Sequence, residues 1–254
     1  MTLLTRPPHS SREGVYCALA CALSLAATLA GCVRSPRPVP QARPAETRAV
    51  LDALAARQQA MRGLRLSMRV RAAGAGTAAL VAVPAYLAID APDAVRLQVL
   101  SPFGVTVLDL TIRNGAYELV QPLRGETRRG LVDLAALARP GALPDERMAL
   151  ALALLFHPKI RAATCRGETL RTVTCPVAAG IVAHITVDDV RRIVAEAYAR
   201  PDGRPLLDAA FTDYADDSPI ALPGRIDIHD AASGATLRAR VVRAHVVGVA
   251  GNDK

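Results

Sequence analysis

The chain has 254 residues and a formal net charge of +8, with 51% hydrophobic residues but only 3% aromatic, three Phe and no Trp. The positive charge is almost all Arg, with Lys only at 159 and 254. No basic stretch is interleaved with aromatics, so nothing offers a nucleic acid the stacking platform it needs. The excess charge reads either as a solvated basic surface or as attraction to anionic lipid, worth about 1 kcal/mol per basic residue near such a surface.

Residues 1–31 read as a targeting segment. Arg6 and Arg12 form a basic start, and no charged residue occurs from Gly14 to Val33. The run G-V-Y-C-A-L-A-C-A-L-S-L-A-A-T-L-A-G-C has the apolar middle and small-residue exit of a secretory signal. A bilayer-spanning anchor is the alternative for a run of that length. Its end, Leu29-Ala30-Gly31-Cys32, resembles a bacterial lipobox. By that resemblance Cys32 becomes the mature N-terminus and carries the lipid, palmitate included. Each buried CH₂ of such chains adds about 0.8 kcal/mol to membrane binding. Val33, where an Asp would favour the inner membrane, points to the outer membrane. Loss of Arg6, Arg12 and Glu13 brings the charge to +7 and leaves a mature chain of 223 residues, long enough for one sizeable domain. Export also bears on the cysteines. Cys165 and Cys175 remain as an even pair in an oxidising compartment, which reads as a disulfide adding on the order of 2–3 kcal/mol. A redox pair is the other reading, but the spacing is not C-x-x-C.

Residues 32–44 carry four prolines after Cys32 and read as an extended tether. From 45 to 62 the residues Val50, Leu51, Leu54, Ala55, Gln58 and Met61 fall on one helical face, as in an amphipathic helix. Period two begins at once. Leu64, Leu66, Met68 and Val70 alternate with Arg65, Ser67, Arg69 and Arg71, as in a half-buried strand. Further strands are expected near 78–90, 94–101, 104–112 and 115–121, with Asn114-Gly115 a strong hairpin signal. Two helices follow, at 130–138 and 144–156. The second starts at Pro144-Asp145-Glu146 and is apolar on more than one face, so it must be covered on both sides. Strands then resume near 162–167, 169–176, 180–188, 190–199, 205–214, 223–230 and 235–249, with turns at Asp202-Gly203 and Ser233-Gly234. Short connections imply an antiparallel, strongly curved sheet with helices on its concave face. The fold class is therefore mainly β with an α lid (α+β).

The segment V-R-L-Q-V-L-S-P-F-G-V-T-V-L-D-L-T-I (95–112), with R-N-G-A-Y-E-L-V and the helical pair after it, resembles LolB, the outer-membrane lipoprotein receptor. Residues 190–214, followed by A-L-P-G-R-I-D-I, look like the second half of the wider LolA/LolB fold. The resemblance covers most of 45–249 and leaves a C-terminal tail at 250–254. It implies an unclosed antiparallel half-barrel of about eleven strands with a helical lid over an apolar cavity for acyl chains. It further implies acylated lipoproteins or lipids as partners, a periplasmic LolA-like carrier delivering them, a monomer anchored in the outer membrane facing the periplasm, and no cofactor. Candidate cavity residues are Leu64, Leu66, Met68, Val70, Leu97 and Val99 on the first strands, and Leu152, Leu155 and Phe156 on the lid. An ordinary filled core is the other account of the same residues. In LolB-like proteins an apolar loop tip helps deliver cargo to the membrane, and Phe103 takes that position here, between Pro102 and Gly104. Turn chemistry agrees: Ser101, Pro102 and Gly104 suit positions i, i+1 and i+3 of a type I turn. That leaves Phe103 at the apex, either folded back on the sheet or offered to a membrane. Two features depart from the family: the chain has no Trp, and it has the Cys165/Cys175 pair.

An enzyme is not expected. The five Ser of the mature chain (35, 67, 101, 218 and 233) include no G-x-S-x-G, and the His residues form no H-E-x-x-H. Asp227 and His229 in D-I-H-D could share a strand face as metal ligands, but a third ligand is missing, so no metal site is assigned. D-Y-A-D-D (213–217) reads as a polar turn. The alternative to a lipid-handling protein is a structural or sensory envelope lipoprotein using the same half-barrel for protein contacts.

Overall fold

The computed structural model of the chain describes residues 44–74, 81–91, 94–132, 144–156, 164–178, 181–215 and 221–247. All belong to one compact unit, Pro40–Lys254. The signal segment, Cys32, the tether before Pro44 and the tail 250–254 lie outside the described residues. Among those described, no helix is long and apolar enough to cross a membrane.

Six strands come first: β1 (Leu64–Ala73), β2 (Val83–Ala91), β3 (Ala94–Leu100), β4 (Thr106–Arg113), β5 (Ala116–Gln121) and β6 (Glu126–Leu131). Seven follow: β7 (Arg166–Gly167), β8 (Thr172–Ala178), β9 (Ile181–Val187), β10 (Ile193–Ala199), β11 (Pro205–Thr212), β12 (Arg225–Asp230) and β13 (Ala235–Val246). They make one thirteen-stranded sheet in the order β6-β5-β4-β3-β2-β1-β13-β12-β11-β10-β9-β8-β7. Each half is an antiparallel meander, and the first and last strands pair at the centre, Leu64 opposite Val246 and Ala73 opposite Thr236. β6 and β7 are the two edges, so the sheet is open.

Alternation builds the inner face. β1 buries Leu64, Leu66, Met68 and Val70, and β9 buries Ile181, Ala183, Ile185 and Val187. Such period-two burial stabilises by about 25 cal/mol per Å² of apolar surface removed from water. Two helices cover that face. Helix α1 (Pro44–Ala60) buries Val50, Leu51 and Leu54, with Met61 just beyond its end, and contacts β7. Ala55, expected on the same stripe, is exposed. Helix α2 (Pro144–Leu155) contacts β3, β12 and β13. It is buried from Arg147 to Ala153 in consecutive positions, as its unstriped apolar sequence requires.

The largest difference from the sequence expectation is β6. Gly130 and Leu131, expected to open a helix over 130–138, close this strand instead, and residues 133–138 lie outside the described set. The sequence E-T-R-R-G-L has no apolar alternation because β6 is an exposed edge. It is held by backbone pairing with β5 and by Arg129, which donates to Glu118 directly opposite it at 2.5–2.7 Å. Charge on an edge strand also discourages pairing with other chains. Of the strand expected at 162–167, Arg166–Gly167 pairs in the sheet, Thr164 and Cys165 do not, and 162–163 lie outside the described residues. With β6 added, the sheet has thirteen strands rather than about eleven.

Candidate functional site

A cavity of about 530 Å³ lies between α2 and the first meander. It falls within the roughly 300–1,000 Å³ usual for ligand sites. β1 contributes Val70 and Ala72, β2 Val83, β3 Leu97, Val99 and Leu100, and β4 Val107 and Leu108. Met148, Ala149 and Leu152 form the α2 side, and Leu237 of β13 closes the wall. Among the described residues only Ser101, Gln121 and Arg124 bring polar side chains to the lining, and the Arg124 guanidinium lies 3.5 Å from Gln121 Oε1. Two lining residues, Val81 and Leu123, are largely exposed (71% and 66%), so the cavity reaches solvent there.

Four of the residues chosen from the sequence, Val70, Leu97, Val99 and Leu152, stand on this wall. The other five, Leu64, Leu66, Met68, Leu155 and Phe156, are buried in the packed core and do not line it. Strand parity explains the split. It tells which side chains point inward, but not where along the strand the inner space is left unfilled. Among the wall residues missed by sequence reasoning, Met148, Leu108 and Leu237 carried an inward-facing signal but nothing that marked them as next to a void.

The β3–β4 hairpin sits at the mouth. Gly104 N–H donates to Ser101 C=O (3.0 Å), Ser101 N–H to Val105 C=O (2.7 Å), and Val105 N–H to Ser101 Oγ (3.1 Å). Gly104 has φ +81°, a left-handed conformation that a side chain would strain, with open space around it. Ser101 and Pro102 line the cavity, whereas Phe103 at the apex is 92% exposed. The side chain does not fold back on the sheet. Val105 and Val107 continue the exposed apolar rim along β4.

The lid is tied down by a buried ion pair. Arg147 of α2 donates to Asp230 at the end of β12 at 2.6 Å, and both side chains are less than one-tenth exposed. Asp230 also accepts from Ala232 N–H and Ser233 Oγ, so one carboxylate joins α2 to the β12–β13 hairpin. The sequence had drawn attention to Asp227 and His229 in the same tetrapeptide. Asp227 is engaged instead by Arg225 and Arg238, each at 2.6 Å. Burial pushes the Asp227 carboxyl up, but the two guanidinium hydrogen bonds outweigh it and hold it below the usual range. His229 has Asp208 at 3.9 Å. Among the described residues no three His, Cys, Asp or Glu side chains gather as metal ligands.

Beneath α1 the second meander is filled. Arg57 of α1 lies 5.7 Å over the Phe211 ring. On β10, Tyr198 donates to the buried Glu196 at 2.6 Å, and Tyr214 donates to Ile193 C=O. Burial raises the Tyr214 phenol to about 12 and that of Tyr198 well above its usual value, with the Glu196 charge adding to both. Cys165 and Cys175 are joined in a disulfide, with Cα atoms 4.1 Å apart, clamping the short β7 to β8. Asp213–Ala215 follow β11 without strand pairing, and Asp216–Asp217 lie outside the described residues.

An open antiparallel sheet with helices over one face and an apolar cavity beneath one of them defines a half-barrel. The sequence matches no protein-family model, and no curated protein matches it. Solved structures do match the fold. A LolA superfamily protein from Nitrosomonas europaea superposes with a TM-score of 0.55 at 12% identity, covering 80% of this chain and 94% of that one. A domain from Vibrio parahaemolyticus described as an outer membrane lipoprotein-sorting protein gives 0.53 at 12% identity, covering 82% and 96%. A DUF1329 family protein from Desulfovibrio piger gives 0.51 at 10% identity, covering 79% and 93%. The chain has the LolA/LolB-like fold, in a divergent form.

Proposed function

We propose that the protein is a membrane-anchored envelope lipoprotein that takes acyl chains of lipoproteins or lipids into the cavity under α2 and helps insert them into the outer membrane. Residues 1–31 are its signal, Cys32 carries its anchor, 32–44 is the tether, and 45–249 is the working domain. The observation that carries the proposal is one continuous apolar surface. The lining of Val70, Leu97, Val99 and Leu152 runs out through Pro102 to the exposed Phe103. The sorting-protein description of the Vibrio neighbour supports the same direction. Transfer then follows the relative burial of acyl chains, about 0.8 kcal/mol per CH₂, without covalent chemistry. The cargo is handed over by a periplasmic carrier of the same fold, and the receiving protein works as a monomer.

Phe103→Glu tests this. An exposed apex substitution leaves thermal stability within about 0.5 kcal/mol. Delivery of a fluorescent acylated lipoprotein to liposomes by the full chain should nevertheless fall sharply. Unchanged delivery would contradict the membrane role of the loop.

A further inference from the structure

The outer face of the sheet holds a second feature that acyl-chain handling does not use. Most outer-face arginines are answered by acids: Arg65 by Asp90, Arg96 by Asp109, Arg129 by Glu118, and Arg238 by Asp227. Among the described residues, Arg69 and Arg71 of β1, and Arg240 and Arg243 of β13, have no such partner. They are exposed and they face one another: Arg69 lies opposite Arg240, and Arg71 opposite Arg238. Across the next pairing Arg240 also lies opposite Arg225. Like charges directly opposite on a sheet weaken it, and here they sit on its two central strands.

A bulge makes the patch larger. Ser67 pairs with Arg243 and Met68 with Val241, so Val242 is an extra residue on β13. Without it, Arg243, three residues after Arg240, would point into the core. The inserted residue resets the alternation and turns Arg243 outward beside Arg240. The resulting stripe follows β1 from Arg71 to Ser67, opposite Arg243, about 13 Å at ~3.3 Å per residue. It is not purely charged. The bulged Val242 is 65% exposed, and Tyr86 of β2, 46% exposed, lies opposite the small Ser67 that also faces Arg243. Arginine and tyrosine around a small apolar centre match protein interfaces better than a surface that only attracts headgroups.

We infer that the outer face of β1 and β13 is a docking surface for an acidic segment of a protein partner, recognised by Arg69, Arg71, Arg240 and Arg243 around Tyr86 and Val242. Carboxylates spaced along an extended segment would meet guanidinium groups at strand spacing, and bidentate pairing would replace the present Arg–Arg opposition. A second copy of this chain does not fit, because its own charge is strongly positive.

The test uses the full chain in neutral phosphatidylcholine nanodiscs, with a fluorescent peptide of alternating Glu and Val as probe. Arg69→Glu/Arg240→Glu should weaken peptide binding roughly tenfold. Arg62→Glu/Arg200→Glu, which makes the same change in net charge at exposed sites elsewhere, should change it by less than about twofold. Arg69→Lys/Arg240→Lys should recover part of the affinity, since Lys keeps the charge but not the fork. Melting temperatures should stay unchanged, because reversal replaces one like-charge pair by another. Equal weakening by both reversed pairs would reduce the effect to net charge and overturn the inference. Patch-dependent capture of phosphatidylglycerol vesicles without peptide binding would overturn it in favour of a membrane.

Discussion

The two halves of the sheet use the same construction to opposite ends. Under α2 the first meander leaves about 530 Å³ unfilled and walls it with aliphatic side chains. Under α1 the second meander fills the corresponding space with Phe211, Tyr198 and Tyr214 around Glu196 and Arg57. Among the described residues Phe156, Phe211, Tyr117, Tyr198 and Tyr214 are spent on packing, and Phe103 and Tyr86 are turned out to solvent. Three of these packed aromatics, Tyr198, Phe211 and Tyr214, belong to the second meander, and the apolar cavity lies against the first. The Arg147–Asp230 pair spans the boundary, fixing the lid of the open half to strands of the filled one.

Breaking that tie should have the largest effect. Asp230→Ala leaves the Arg147 guanidinium buried without its counter-charge and should cost about 3–5 kcal/mol in denaturant unfolding. A loss below about 1 kcal/mol would mean that water already solvates the pair. Next comes the contrast between halves. Phe211→Ala opens a cavity in a packed region and should cost about 3–5 kcal/mol, whereas Leu152→Ala enlarges an existing one and should cost nearer 2. Equal costs would argue that the space under α2 is collapsed in solution.

A smaller effect is expected from pH. Because burial raises Tyr214 to about 12 and Tyr198 well above its usual value, the folded state favours the neutral phenols. Their contribution is complete below the ordinary tyrosine value of about 10, and that of Tyr214 is lost as pH rises through about 12. Tyrosine ultraviolet titration should therefore show these two ionising together with unfolding of the second meander. Ionisation near pH 10 with the fold intact would place them in water.

Much of this was readable in the residues. The alternation of Leu64, Leu66, Met68 and Val70 with three arginines and a serine could only be a strand with one wet face, and Asn114-Gly115, at φ 51° and 73°, makes the expected hairpin. Ser101-Pro102-Phe103-Gly104 carried its turn geometry in its own chemistry. β6 was invisible because an edge strand needs no apolar face, and its pairing rests on backbone and on Arg129–Glu118. The lid tie was equally hidden. Alternation puts Asp230 on the inward parity of Ile226 and Ile228 and Asp227 on the outward one, but Arg147 is 83 residues from Asp230 and nothing local names it as the partner. The bulge at Val242 left no mark either, since A-R-V-V-R-A continues to read as a strand in either register. The sequence pattern ranks side chains as inward or outward; which inward ones meet empty space depends on how distant strands and helices converge.

The central claim is that the space under α2 holds acyl chains, and filling it tests that most directly. Binding of a fluorescent fatty acid to the full chain should be measured alongside Val99→Trp, which places a large ring in the cavity and leaves Phe103 and the second meander untouched. Saturable binding by the parent chain, with loss of roughly tenfold or more in the filled variant at unchanged melting temperature, is the predicted result. Equal binding by both proteins, or none by either, would contradict the account.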